Sequence, residues 1–394
     1  MKIGIDARMY GLQHAGIGRY VQNLIENLAL MDRENQYTLF VRDDKSVKSQ
    51  ISNLKSQNKN LNLKTVIADF RHYSLKEQIL FPSLIKKERL DLIHFPHFNV
   101  PFLYFGKYVV TIHDLIKHKS RGSGTTTREP WFYWLKYLGY RLVFLSAVKR
   151  AKKIFVPSKT VALQLDELYK VGGKTLVTYE GVDGKLRVKS HISEKFLGAG
   201  KLKVNEVLEK YKIKSPFLLY VGSVYPHKNV NNLIKAIKII NGLRIANYEV
   251  VSLVIVCARS IFWGRLKGEI RKLKAEKFVN LTEFVPDEEL VVLFKEATAF
   301  VFPSLSEGFG LPGLEAMASG LPVLVSDIPV FREVYGEAAM YFNPKDSRDI
   351  AMKIEKLIRD KNLQVSLTEN GLKNVLKYSW EKMAKETLNG YKKV

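Results

Sequence analysis

The chain has 394 residues, 46% hydrophobic and 11% aromatic, which excludes a disordered or fibrous protein and gives enough length for two domains rather than one core. Lys and Arg number 63 against 39 Asp and Glu, and the net charge of +24 points to a polyanionic partner: nucleic acid, an anionic membrane surface or a phosphorylated substrate. The one cysteine, Cys257, excludes an intrachain disulfide and a cysteine-based metal cluster.

Short apolar runs of strand length alternate with helical patterns along the whole chain. In the first half the strand candidates are 2–7, 37–41, 63–68, 90–95, 108–114, 153–158 and 176–181; in the second they are 216–223, 250–258, 279–285, 299–304, 322–327 and 340–343. A helix is predicted over 17–31, with Tyr20, Val21, Leu24, Ile25 and Leu28 on one face. The strands are apolar throughout rather than alternating, which means burial on both sheet faces, and strand–helix alternation then means parallel, doubly wound sheets. Residues 119–129 read as a loop, and the polar, unpatterned stretch 183–212 reads as the linker. The expected organisation is an N-terminal Rossmann-like domain over 1–195, a second over 196–378, and a C-terminal helix over 379–394 that is N-capped by Ser379 and crosses back to the first domain. No stretch of about 18 apolar residues is present and the N-terminus lacks the apolar core of a signal peptide, so the cytoplasm is the expected compartment.

Ligands of open parallel sheets bind beyond the carboxyl ends of the strands. Four stretches fall at such places, and between two domains they would face a central cleft. The first is "ARMYGLQHAGIGRY" (7–20), where Gly16 and Gly18 let backbone approach a ligand and the following helix offers unpaired N–H groups to phosphate. The second is "YVGSVYPHKN" (220–229): a lysine at a helix start, Lys228, is unfavourable against the dipole unless an anion offsets it, and His227 beside it adds a donor. The third is "SEGFGLPGLEAMASGLPV" (306–323). Pro312 suits the first helical position, Glu315 falls in the first turn, and Glu307 sits between strand end and helix next to Gly308 and Gly310. Carboxylates there accept hydrogen bonds from vicinal hydroxyls, and the N–H groups of 309–311 suit phosphate or hydroxyl oxygens. The fourth is "VVTIHD" (109–114), with His113 at the strand's carboxyl end; the neighbouring strand ends in His94, His97 and Asn99, a pair of histidines without a third clear ligand, so no metal is expected.

These residues resemble the retaining, nucleotide-sugar-dependent glycosyltransferases of family 4. The similarity covers most of the chain. It is most specific in "VGSVYPHKN", in 284–327 with its pair of glutamates eight positions apart, and in "VFREVYGEAAMYFNPKD" (330–346); "GIDAR…GIGRY", "TIHDL" and "VPSKTVALQL" agree in the first half. The resemblance implies the α/β GT-B fold, two doubly wound parallel-sheet Rossmann-like domains facing a central cleft. It implies that Glu307 contacts the transferred sugar near the reacting carbon and that Glu315 holds the ribose. Gly308, Phe309, Gly310 and Leu311 would bind sugar and phosphate through their backbone, and Lys228 would meet the diphosphate. Gly16 and Gly18 would form the glycine loop over the donor, His113 would stand near the donor sugar, and backbone at Val285 would read the base. Many members carry an arginine where this chain has Ser223 or His227, so a cationic contact is neutral here or comes from Arg19 or Arg8.

The expected activity is a metal-independent, retaining hexosyltransferase without a cofactor, using a GDP- or UDP-linked sugar and a glycan or lipid-linked glycan acceptor. Its transition state has oxocarbenium character. The first half carries a net charge of +16 against +8 for the second, and "EPWFYWLKYLGYRLVFLSAVKRAKK" (129–153) joins aromatics to a basic end, which fits an anionic membrane surface. Two alternatives stay open: a nucleotide-sugar epimerase or other GT-B enzyme, and a basic nucleic-acid-binding protein, although no nucleic-acid-binding module is apparent.

Overall fold

A computed structural model of the protein describes residues 1–11, 15–57, 62–119, 130–182, 204–242, 250–258 and 260–394. In chain order the elements are β1 (Lys2–Asp6), α1 (Ala15–Met31), β2 (Gln36–Val41), α2 (Lys45–Gln57), β3 (Leu63–Ile67), α3 (Leu75–Lys87), β4 (Leu92–Phe95), β5 (Tyr108–Thr111), α4 (Ile116–Lys119), α5 (Pro130–Arg150), β6 (Lys153–Val156), α6 (Lys159–Tyr169) and β7 (Thr175–Val177). They continue with α7 (Val204–Lys210), β8 (Phe217–Val221), α8 (Val230–Gly242), β9 (Ser252–Val256), α9 (Ile261–Lys272), β10 (Val279–Thr282), α10 (Asp287–Glu296), β11 (Ala299–Phe302), α11 (Leu311–Ala318), β12 (Val323–Ser326), α12 (Pro329–Tyr335), β13 (Met340–Phe342), α13 (Ser347–Arg359), α14 (Lys361–Asn374) and α15 (Trp380–Tyr391).

The chain divides into two compact units, the first taking in 1–119, 126–181 and 379–394 and the second built on 182–378. In the first, seven strands form a parallel sheet in the order β3-β2-β1-β4-β5-β6-β7. Helix α15 belongs to this unit. It starts on the Ser379 hydroxyl, which accepts from Lys382 N at 3.0 Å, and packs on α1. The Tyr391 hydroxyl meets His94 Nδ1 at 2.6 Å, and His94 Nε2 meets Thr111 Oγ1 at 2.7 Å. His94 is thus a buried packing histidine whose pKa burial pushes down to about 3, with the His113 charge adding to the effect.

In the second unit six strands form a parallel sheet in the order β10-β9-β8-β11-β12-β13. Helix α8 buries Val230, Leu233, Ile234, Ile237 and Ile240, a helical period that seats it on the sheet, with α13 packed beside it. The stretch expected as linker lies outside the described residues as far as 203. From 204 it departs from that reading: α7 forms because Val207 buries and Lys210 and Tyr211 both bond Glu289 of α10, at 2.7 and 2.6 Å. The loop expected at 119–129 lies outside the described residues from 120 onward.

In each sheet the strand order reverses direction once, between β1 and β4 in the first and between β8 and β11 in the second. In open parallel sheets such a reversal is where ligands bind, beyond the carboxyl ends of the strands.

Candidate active site

The second unit's switch point holds the residues that sequence places there. After β8 the chain makes a short 3₁₀ turn, Pro226–Lys228, which ends with Asn229 in the left-handed region at φ 59°. The Asn229 amide donates to the carbonyls of Pro303 (3.0 Å) and Pro344 (2.7 Å), tying the turn to the loop after β11. Leu305 N completes that seam by donating to the His227 carbonyl at 2.8 Å. As a result Lys228 Nζ reaches Glu307 Oε1 at 2.6 Å, with the side chains only 16% and 10% exposed. The buried Ser304 hydroxyl donates to the same carboxylate oxygen at 2.8 Å.

The glycine step after Glu307 has a steric cause. Gly310 caps α11 in the left-handed region, φ 102°, and a Cβ there would overlap the Tyr335 hydroxyl and press on Phe331. That hydroxyl donates to the Gly310 carbonyl and fixes the loop against α12. Phe309 is buried against Tyr378, edge to face at 5.5 Å between ring centres. At the start of α11 Pro312 has no N–H and Gly313 N donates to the Gly310 carbonyl at 3.1 Å, and the helix presents the positive end of its dipole there. Glu315 differs from expectation. The helix begins at Leu311, so Glu315 is its fifth residue, beyond the first turn, and it is buried at 6% exposure rather than set at the helix entrance. Val285 is buried just before α10, and the Ser223 carbonyl accepts from Tyr220 at 2.6 Å.

In the first unit α1 begins at Ala15, so Gly16 and Gly18 lie inside its first turn rather than in a loop. The two differ. A Cβ on Gly16 meets nothing, whereas one on Gly18 would overlap the Gly11 carbonyl, so Gly18 is there for close packing of the β1–α1 loop on its own helix. His113 follows β5, with Nε2 donating to the Pro96 carbonyl at 3.0 Å, Nδ1 3.3 Å from Glu180 Oε1, and Tyr20 edge-on at 4.8 Å. Arg8, a candidate for the missing cationic contact, is committed elsewhere. It is 2% exposed and paired at 2.7 Å with both Asp6 and Glu77. Burial alone would lower its pKa; the two carboxylates reverse that and raise it. Sequence reasoning missed Asn229 and Tyr335, which act on residues distant in sequence, and Ser304, which meets Glu307 three residues on only because the loop folds back. Among the described residues no group of three or more His, Cys, Asp or Glu is arranged to hold a metal ion.

Residues 205–374 match the model of glycosyl transferases group 1, and residues 14–185 match that of glycosyltransferase family 4. The chain belongs to glycosyltransferase family 4. It is 30% identical over 278 residues to the O-antigen chain mannosyltransferase RfbU of Salmonella typhimurium, covering 70% of this chain and 67% of that protein. It is 26% identical over 388 residues to the O-antigen chain mannosyltransferase B of Escherichia coli, covering 96% of each. Among solved structures, Anabaena Alr3699/HepE in complex with UDP-glucose superposes over all of this chain and 99% of its own with a TM-score of 0.70 at 15% identity, as expected for a shared GT-B fold.

Proposed function

We propose that the protein transfers a hexose, with retention of configuration and without a metal ion, from a nucleoside-diphosphate sugar to a glycan or lipid-linked glycan. The carrying observation is the Lys228–Glu307 pair at the second unit's switch point, beside the amide end of α11. An ammonium and a helix N-terminus there suit the charge that develops on a departing diphosphate. The Glu307 carboxylate suits the hydroxyls and growing positive charge of the sugar ring, and Ser304 holds it in place once Lys228 turns to the diphosphate. The leaving phosphate oxygen takes the acceptor's proton in a same-face attack. Glu315 takes the ribose, and the Phe309–Leu311 amides take phosphate or sugar oxygens. The similar proteins named as mannosyltransferases favour mannose as the sugar, and family membership sets aside the epimerase and nucleic-acid readings.

We also place the protein on the cytoplasmic face of an anionic membrane. Helix α5 presents Trp134, Leu135, Leu138, Leu142 and Leu145 on one exposed stripe, each at least 41% exposed. The surrounding stretch 101–159 holds 12 basic and two acidic side chains. No helix among the described residues is long and apolar enough to cross a membrane. An interfacial contact uses both the stripe and the charge.

A thermal-shift screen of UDP-, GDP- and ADP-sugars, with and without chelator, followed by NMR of the product's anomeric configuration, tests the reaction. One nucleotide series should stabilise the protein in chelator and yield a retained linkage; inversion, or activity abolished by chelator and restored by a divalent cation, overturns that part of the reading. Flotation with anionic vesicles tests the attachment: Leu138→Glu should abolish it, and wild-type protein that stays unbound at low salt refutes it.

A further inference from the structure

His113 stands at the carboxyl end of β5 in the first unit, with Nε2 3.0 Å from the Pro96 carbonyl and Nδ1 3.3 Å from Glu180 Oε1. A carbonyl oxygen only accepts, and so does an ionised carboxylate. A neutral imidazole has one N–H and satisfies one of these partners, not both. We propose that Glu180 is a positioning residue that keeps His113 doubly protonated, so that in sugar transfer this ring acts as a fixed positive charge and not as a base; the part it plays in transfer rests on the glycosyltransferase reading above.

Three observations carry it. The first is the count of donors. Nε2 must donate to the Pro96 carbonyl. A lone pair left on Nδ1 would then face a carboxylate oxygen in a largely closed place, the two side chains being 14% and 11% exposed. A second proton between Nδ1 and Oε1 removes that repulsion. It resides on the ring, because an imidazole holds a proton more tightly than a carboxylate does. The second is that ring and carboxylate are both held. Glu180 lies three residues past β7, and a Cβ on the next residue, Gly181, would overlap the backbone at Ser379 and Trp380, so the chain is seated directly on the start of α15. From the other side Tyr20 of α1 meets the imidazole edge to face at 4.8 Å between ring centres, with its own hydroxyl 3.1 Å from Thr111 Oγ1.

The third is the state of the surrounding groups. Burial holds His94 at about 3 and His97 well below the ordinary value, and in both the His113 charge adds to the effect. Burial pushes the Tyr20 phenol up, so it stays neutral. The Asp114 carboxylate, next in the chain, accepts from Ile116 N at 2.9 Å. Lys117 of α4 and Arg8 of the loop after β1 bear on His97, and Arg8 is paired with Asp6 and Glu77. Of the three histidines at these strand ends, His113 is the one whose contacts call for a charge. A ring with both nitrogens committed takes no proton from an acceptor hydroxyl, which agrees with the leaving phosphate oxygen taking it. Negative charge grows on the departing diphosphate, and a fixed imidazolium serves that charge better than a neutral ring.

The test uses the full chain with ¹⁵N-labelled histidine, and His113→Gln to assign the ring. In wild type near neutral pH both His113 nitrogens should show a bound proton. Glu180→Gln, whose amide can donate to Nδ1, should leave one nitrogen protonated and one bare, with the fold intact by circular dichroism. The same variant should lower kcat by about tenfold, the difference between a charge-assisted and a neutral contact, hold KM for the donor within about twofold, and regain activity as pH is lowered and the ring takes up its second proton. Glu180→Asp should keep most of the wild-type kcat. A bare nitrogen on His113 in wild type, a ring unchanged in Glu180→Gln, or a loss that acid does not reverse overturns the proposal. If wild type transfers sugar and Glu180→Gln transfers it as fast, the proposal falls and the transferase reading stands. If the ring responds as described but no donor yields transfer, the transferase reading falls and the hold of Glu180 on the ring's charge stands.

Discussion

The two sheets share one winding and one reversal of strand order, yet their switch points are prepared oppositely. In the first unit the cation is spent: Arg8 is fully buried and clamped between Asp6 and Glu77. In the second, Lys228 has a single carboxylate opposite it, partly exposed, which an incoming anion can replace. Topology therefore fixes where a ligand can bind, and the local count of charges decides which ligand. A diphosphate over β8 and β11 is what the proposed reaction requires of the second unit.

The largest expected effect tests the second half of that contrast. Glu307→Ala should lower kcat by about 10²–10³, the usual loss for one preorganised charged group, with the fold intact by circular dichroism. A variant within threefold of wild type would remove Glu307 from the reaction. Next comes the loop that carries it. Gly310→Ala forces a left-handed alanine onto the Tyr335 hydroxyl and should destabilise the second unit by about 3 kcal/mol in denaturant unfolding. An unchanged midpoint would show that the loop is not held by that contact.

The first unit should instead reveal its closed polar interior through acid. His94 has a folded pKa of about 3 against 6.5 unfolded, so the unfolded chain binds the extra proton between those values. Stability is complete above pH 6.5 and falls with pH through that window, by about 2 kcal/mol at pH 5. His94→Gln should flatten this slope; the same slope in the variant would assign it elsewhere. Smallest of all should be the structural effect of Gly16→Ala, which meets open space, against Gly18→Ala, which meets the Gly11 carbonyl. Equal melting temperatures for the two would contradict the packing argument.

Much of this was legible in the sequence because apolar runs of strand length such as 299–304 and 322–327, alternating with helical patterns, suit doubly buried parallel strands. The residues of the second switch point were legible because Lys228, Glu307 and Gly310 lie in short segments directly after such strands. The partners were not. Ser304 looks like any strand-end serine until Glu307 folds back on it, and Asn229 reads as a turn residue until Pro303 and Pro344 are brought to its amide. Arg8 reads as a ligand for phosphate until α3 delivers Glu77 to it. Glu315 was misplaced by one residue, enough to carry it past the first turn, since Pro312 marks a helix start only to within a residue or two.

The central claim is that a diphosphate takes Lys228 from Glu307. Calorimetric titration of UDP and GDP into wild type, Lys228→Ala and Glu307→Gln tests it directly. Lys228→Ala should weaken the nucleotide that wild type prefers by about tenfold or more, the worth of a charge-assisted hydrogen bond, while Glu307→Gln should bind it equally well or more tightly because the competing carboxylate is gone. Unchanged affinity in Lys228→Ala, or an equal loss in both variants, would contradict the account.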